Sequence, residues 1–108
     1  MLKKNQNIPE LFNQKKYNEL IYIIENNIAK KDINSQLLNN FINSNVNLYD
    51  MDSSERNRSY CKENFYEAIN FYKKNNKYFD TNKTILLAIT RIYKRFADIN
   101  KIITNLEK

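Results

Sequence analysis

Glycine and histidine are both absent from this chain of 108 residues, and proline and cysteine occur once each, at Pro9 and Cys61. Phosphate-binding loops and dinucleotide fingerprints need glycine where the backbone approaches the ligand, so those readings are closed. Tight β-hairpins also draw on glycine for positive φ, whereas helix bundles need few such positions. Without histidine the chain lacks the side chain best suited to proton transfer near neutral pH and the commonest metal ligand. One cysteine excludes an intramolecular disulfide and a multi-cysteine zinc site, and it suits a reducing compartment.

Long apolar runs are missing too. No stretch approaches the roughly 18 consecutive apolar residues of a membrane span, so no membrane partner is expected. The opening MLKKNQNIPELF has no apolar signal core and no small-residue cleavage site, which points to the cytoplasm.

What is present suffices for one core. Hydrophobic residues make up 42%, with eight Tyr and six Phe, and the charged fraction of 28% is that of an ordinary globular domain. Length gives a single domain over residues 1–108, with the polar residues 1–8 expected to fray. The net charge is +6. Twenty Asn, fourteen Lys and fourteen Ile, all with AT-rich codons, make genome composition a rival source of that basicity.

Periodicity predicts helices throughout. Pro9 suits the first turn of a short helix reaching about Gln14. Tyr17, Leu20, Ile21, Ile24 and Ile28 share one helical face. Asp32 is placed to cap a third helix, whose face carries Ile33, Leu37, Leu38, Phe41 and Ile42 until about Asn45. Between Val46 and Ser54 the pattern fails, so this stretch reads as a loop with Leu48, Tyr49 and Met51 tucked beneath it. Asp52 and Glu55 have the spacing of a capping box. The helix that follows buries Cys61, Phe65, Ala68, Ile69 and Tyr72, and fades near Asn75. Asp80 and Thr81 offer caps for the last helix. There Ile85, Ile89, Ile92, Phe96, Ile99, Ile103 and Leu106 alternate steps of four and three, a coiled-coil-like seam. The expected fold is all-α: a small antiparallel bundle of four to five helices, with a long C-terminal hairpin over residues 54–107 and shorter N-terminal helices packed on it.

The stretch SYCKENFYEAINFYKKN resembles the second helix of a tetratricopeptide repeat. Ala68 and Tyr72 stand at that family's small and aromatic positions, and Ile89 and Tyr93 at the Leu and Tyr of a following repeat. The family's glycine is missing, however, and Asn75 and Asp80 replace its small residue and closing proline. A fainter echo at Tyr17 lies 48 residues before Phe65, against a repeat of about 34. No family is assigned.

Catalytic chemistry is hard to assemble. Cys61 has no histidine base and lies on the core face, where thiols are inert. Glu63 and Glu67, one turn apart, could share a proton or hold a hard cation. No second acidic pair or Glu-x-x-His motif completes such a site, and Lys62 and Lys74 are close, so the pair reads as surface charge. No cofactor, no metal site and no enzymatic activity are expected.

Basic residues are unevenly spread. Residues 61–108 carry ten basic against five acidic side chains. Lys73, Lys74, Lys77 and Lys83 would gather at the hairpin tip beside Tyr78, and Arg91, Lys94, Arg95 and Lys101 lie opposite the apolar seam. These nine residues are the candidate contact surface. The resulting expectation is a non-enzymatic binding protein that acts through protein–protein interaction, as an inhibitor, immunity-type protein, adaptor or assembly subunit. The alternative is a nucleic-acid-binding regulator or ribonucleoprotein component that uses the basic hairpin. Any apolar seam left uncovered would also allow a homo-oligomer.

Overall fold

The computed structural model describes the backbone of residues 4–79 and 83–107, and the side-chain surroundings of residues 8–75 and 83–96. Within these limits the chain forms α1 (Lys4–Asn13), α2 (Tyr17–Asn27), a 3-10 turn (Lys30–Asp32), α3 (Ser35–Met51), α4 (Glu55–Phe79) and α5 (Lys83–Glu107), with no strand. The architecture is the expected all-α bundle. The 25-residue helices α4 and α5 make the long C-terminal pair, each roughly 37 Å at 1.5 Å per residue, and the shorter α1 and α2 join the bundle through α3. Among the described residues no helix is long and apolar enough to cross a membrane.

The first helix begins earlier than its sequence suggests. It starts at Lys4 and carries Pro9 in its interior. Pro9 forfeits one backbone hydrogen bond there. Ile8 is fully buried and Leu11 joins it in the core, which supplies the compensating burial. The helix ends in a Schellman turn. Lys16 N donates to Leu11 O at 2.9 Å and Lys15 N to Phe12 O at 3.0 Å, with Lys15 in the left-handed region at φ 62. The turn reverses the chain so that Phe12 meets Tyr17 edge-on, with ring centres 5.6 Å apart.

Of the predicted core faces, Tyr17, Leu20, Ile21 and Ile24 of α2 and Leu37, Leu38, Phe41 and Ile42 of α3 are buried, whereas Ile28 and Ile33 lie just outside these helices and are partly buried. Two expectations for α3 are corrected. Its N-cap is Asn34, whose Oδ1 accepts from Leu37 N at 2.9 Å; Asp32 instead closes the preceding 3-10 turn. The supposed loop from Val46 is helical through Met51. Leu48 and Tyr49 are buried on that helix, whereas Met51 is exposed. Asn and Ser lower the helix propensity of this stretch, but tertiary burial outweighs so weak a preference. Buried positions span roughly 200° of the α3 circumference at 100° per residue, as befits a helix enclosed by others.

The capping arrangement of α4 also differs from the predicted box. Ser54 is the cap: its Oγ accepts from Asn57 N at 3.3 Å, and Asp52 Oδ1 accepts from Ser54 N at 2.9 Å one turn earlier. Asn57 Nδ2 then ties the junction together, donating to Leu48 O and to Asp52 O at 2.8 Å each. Farther along, α4 kinks at Asn75 (φ −120, ψ 16), where the Asn75 side chain donates to Phe71 O at 2.9 Å. A side chain that takes an i−4 carbonyl from the backbone ladder bends a helix.

The helix α3 is the centre of the bundle and packs on α1, α2, α4 and α5. Contacts fix the directions. Leu48 faces Asn57 and Asn45 faces Asn64, so α3 and α4 are antiparallel. Asn43 faces Arg91 and Asp50 faces Arg95, so α3 and α5 run the same way. Within the hairpin α4 and α5 touch where Phe96 meets Phe65 edge-on at 6.0 Å and stacks on Tyr66 at 4.9 Å. Ile85, Ile89 and Ile92 of the predicted seam are buried and Phe96 is half-buried. Ile99, Ile103 and Leu106 lie beyond the described side chains, and the caps expected at Asp80 and Thr81 lie outside the described residues.

Candidate binding cleft between α2 and α4

Two helices that pack on a third without packing on each other leave a trough between them. Both α2 and α4 rest on α3, and a cleft of about 210 Å³ opens along this line. Its floor is Leu38 and Phe41 of α3. One wall is Ile24 and Glu25 of α2, continued by Ile28, which leaves the helix in extended conformation. The other wall is Glu67, Ala68 and Phe71 of α4. The α2–α3 connection closes one end with Lys30. Beyond it a second recess of about 440 Å³ continues between Lys30, Lys31 and α4, reaching Lys74 and the kink at Asn75. The two recesses share Lys30, Glu67 and Phe71, so they form one elongated trough.

A chain of hydrogen bonds anchors the rim to the core. Asn45 Nδ2 donates to Phe41 O at 2.9 Å, and Asn45 Oδ1 accepts from Asn64 Nδ2 at 2.8 Å. The Tyr60 side chain interacts in turn with Asn64 and with Glu25 of α2. The Asn45–Asn64 pair ties α3 to α4 beside the cleft. The Glu25 carboxyl titrates above its ordinary value, first because of burial and next because of the Glu67 charge across the cleft, against the lowering effect of the Tyr60 hydrogen bond. Tyr60 is also raised, chiefly by burial.

Nucleophilic chemistry finds no support in this arrangement. Cys61 is fully buried, with Sγ 4.0 Å from Asn57 Oδ1. Burial, aided by the Asp52 charge, pushes its thiol up to about 11, so almost none is thiolate near neutral pH. Among the described residues no three potential metal ligands converge.

The predicted contact residues divide into groups. Lys74 lines the trough. Lys73, Lys83 and Lys94 are exposed elsewhere on the hairpin. Arg91, which is exposed, and Arg95, which is half-buried, reach across the surface to α3. Arg91 Nη1 donates to Asn43 Oδ1 at 2.7 Å; Arg95 pairs with the Asp50 carboxylate and donates to Arg91 O at 3.2 Å. Lys77, Tyr78 and Lys101 lie beyond the described side chains.

Sequence reasoning missed Glu25, Lys30, Lys31, Tyr60 and Phe71. One signal was available. Tyr60, Asn64, Glu67, Phe71 and Lys74 alternate steps of four and three, a second stripe flanking the apolar face of α4. Glu67 was read against Glu63, its neighbour in sequence; the carboxylate it influences across space is Glu25. Compared with known proteins, the chain matches no family model, no curated protein and no solved structure.

Proposed function

We propose that this protein is a non-enzymatic helical binding protein that docks on another protein through the α2–α4 trough. An inhibitor, immunity-type protein, adaptor or assembly subunit would all work in this way. The observation that carries the reading is a cleft lined by apolar Ile24, Ile28 and Phe71 over the buried Leu38 and Phe41, with Glu25, Glu67 and Lys30 beside them. Grooves of this kind take side chains from a partner segment. Tyr60 and Tyr22 stand exposed on the same two helices, and tyrosine is enriched at protein interfaces.

The nucleic-acid alternative draws less support. Its two arginines are engaged with α3, and Glu25 and Glu67 would repel phosphates at the trough. Site-specific photocrosslinking in the native cell tests the choice. A crosslinker at Lys31 should capture one protein species, in a manner unaffected by nuclease or by 1 M salt as an order-of-magnitude upper limit (about seven times physiological ionic strength). The same group at Lys94, exposed on α5 and outside the trough lining, should not. Capture of nucleic acid at Lys94 with salt-sensitive yield would support the alternative instead.

A further inference from the structure

We infer that the occupant of the trough is an amphipathic helix of a partner protein whose contacting face reads basic, apolar, acidic over two turns. This inference rests on the docking function proposed above and names the chemistry of its ligand.

Charge changes along the trough. Glu25 of α2 lines only the first recess, Lys31 of the connection and Lys74 of α4 line only the second, and Lys30 and Glu67 line both. Along α4, Phe71 lies between Glu67 and Lys74. From Glu67 to Lys74 is seven residues, roughly 10 Å at 1.5 Å per residue. A helix laid alongside and running in the same direction as α4 has the same rise, so its side chains at i, i+4 and i+7 fall opposite Glu67, Phe71 and Lys74 in turn. An apolar residue at i+4 covers Phe41 and Phe71. A lysine or arginine at i meets Glu25 and Glu67, and an aspartate or glutamate at i+7 meets the lysines.

Further observations favour this occupant. The Glu67 charge contributes to raising the Glu25 carboxyl, and a cation placed beside Glu25 would relieve that effect. A nucleic acid would bring phosphates along the whole trough, including the part where Glu25 and Glu67 would repel them. A uniformly acidic peptide meets the same objection at the Glu25 end.

Selection of a randomised helical-peptide display library on the immobilised full chain tests the inference. Peptides whose binding is lost on Phe71→Lys should be enriched in a basic residue at i, an aliphatic or aromatic residue at i+4 and an acidic residue at i+7. Circular dichroism checks that this variant folds. The exposed variant Lys74→Glu provides an independent readout: it should weaken the selected peptides about threefold to tenfold, and replacing their i+7 acid by lysine should restore binding. Phe71-dependent peptides with no charge order, or with the same affinity for Lys74→Glu, would overturn the inference and leave the docking function standing. Failure to obtain any Phe71-dependent peptide would overturn both.

Discussion

Lys15 occupies a backbone position that most chains give to glycine. Its φ of 62 completes the Schellman turn between α1 and α2, and a chain without glycine has no cheaper residue for it. An L-residue in this region costs about 1–2 kcal/mol, while glycine loses about 0.5–1 kcal/mol more conformational freedom on folding. Lys15→Gly should therefore stabilise the protein by a net of up to about 1 kcal/mol, seen as a higher urea midpoint at unchanged slope. Glu25 offers a pH-dependent counterpart. Its raised pKa means that the folded state holds the carboxyl proton more tightly than the unfolded state does. The ionised side chain consequently costs stability above that folded pKa, and the cost disappears as pH falls toward the ordinary value of 4.5. Glu25→Gln keeps an acceptor for the Tyr60 hydroxyl and removes the charge. It should raise the melting temperature at pH 7, with the gain over the parent protein vanishing in melts near pH 4.

Among elements, α3 and α4 are matched by a polar contact inside an apolar interface. Asn45 and Asn64 are both buried and hydrogen-bonded to each other across the helix pair. Sliding α4 by one turn would break the bond between Asn64 Nδ2 and Asn45 Oδ1 in a buried interface, so the pair penalises alternative registers. Asn64→Ala strands the Asn45 carbonyl and should cost about 1–3 kcal/mol. In a double-mutant cycle with Asn45→Ala the combined loss should be smaller than the sum, because the second change removes the stranded group. Chemical denaturation of the four proteins gives the coupling. Ser44 makes the contrast: its buried Oγ has no hydrogen-bond partner.

These polar residues also explain what the sequence conceals. Helical period alone locates α2, the seam of α5 and the buried face of α4, because their apolar residues recur without interruption. It fails over residues 46–51, where Asn45, Asn47 and Asp50 break the local pattern. Their roles are supplied from a distance: Asn45 by Asn64, and Asp50 by Arg95. The trough was hidden for a related reason. Lys74 was legible as a basic residue, yet its neighbours Lys30 and Lys31 come from a connection more than forty residues earlier in the chain. Only the packing of α2 and α4 on a common helix brings them together. Arg91 and Arg95 lie toward the wet side of α5 as expected, and from there they reach Asn43 and Asp50 of α3, contacts that periodicity does not reveal.

At the level of the whole molecule the shape is long, with extents of 56 × 31 × 20 Å. Its radius of gyration of 14.6 Å exceeds the value of about 13 Å usual for a compact chain of this length. The two 25-residue helices set that length, while the shorter helices thicken one part of it. Charge follows the same division. The segment 32–60, which includes α3, carries four acidic and two basic residues, and the flanking segments are net basic. The central helix is therefore the less basic partner of both sides, and Asp50 is one place where this is used.

The position of α3 also bears on how the polypeptide comes into being. When residue 52 leaves the ribosome, the side of this helix destined for α4 and α5 has nothing to cover it, so neither half of the chain is a self-sufficient folding unit. Pieces cut at the Asp52–Ser54 junction and prepared separately should each give weak helical circular dichroism. Mixed, they should recover it by reassociation, with the later half clasping the helix that the earlier half presents.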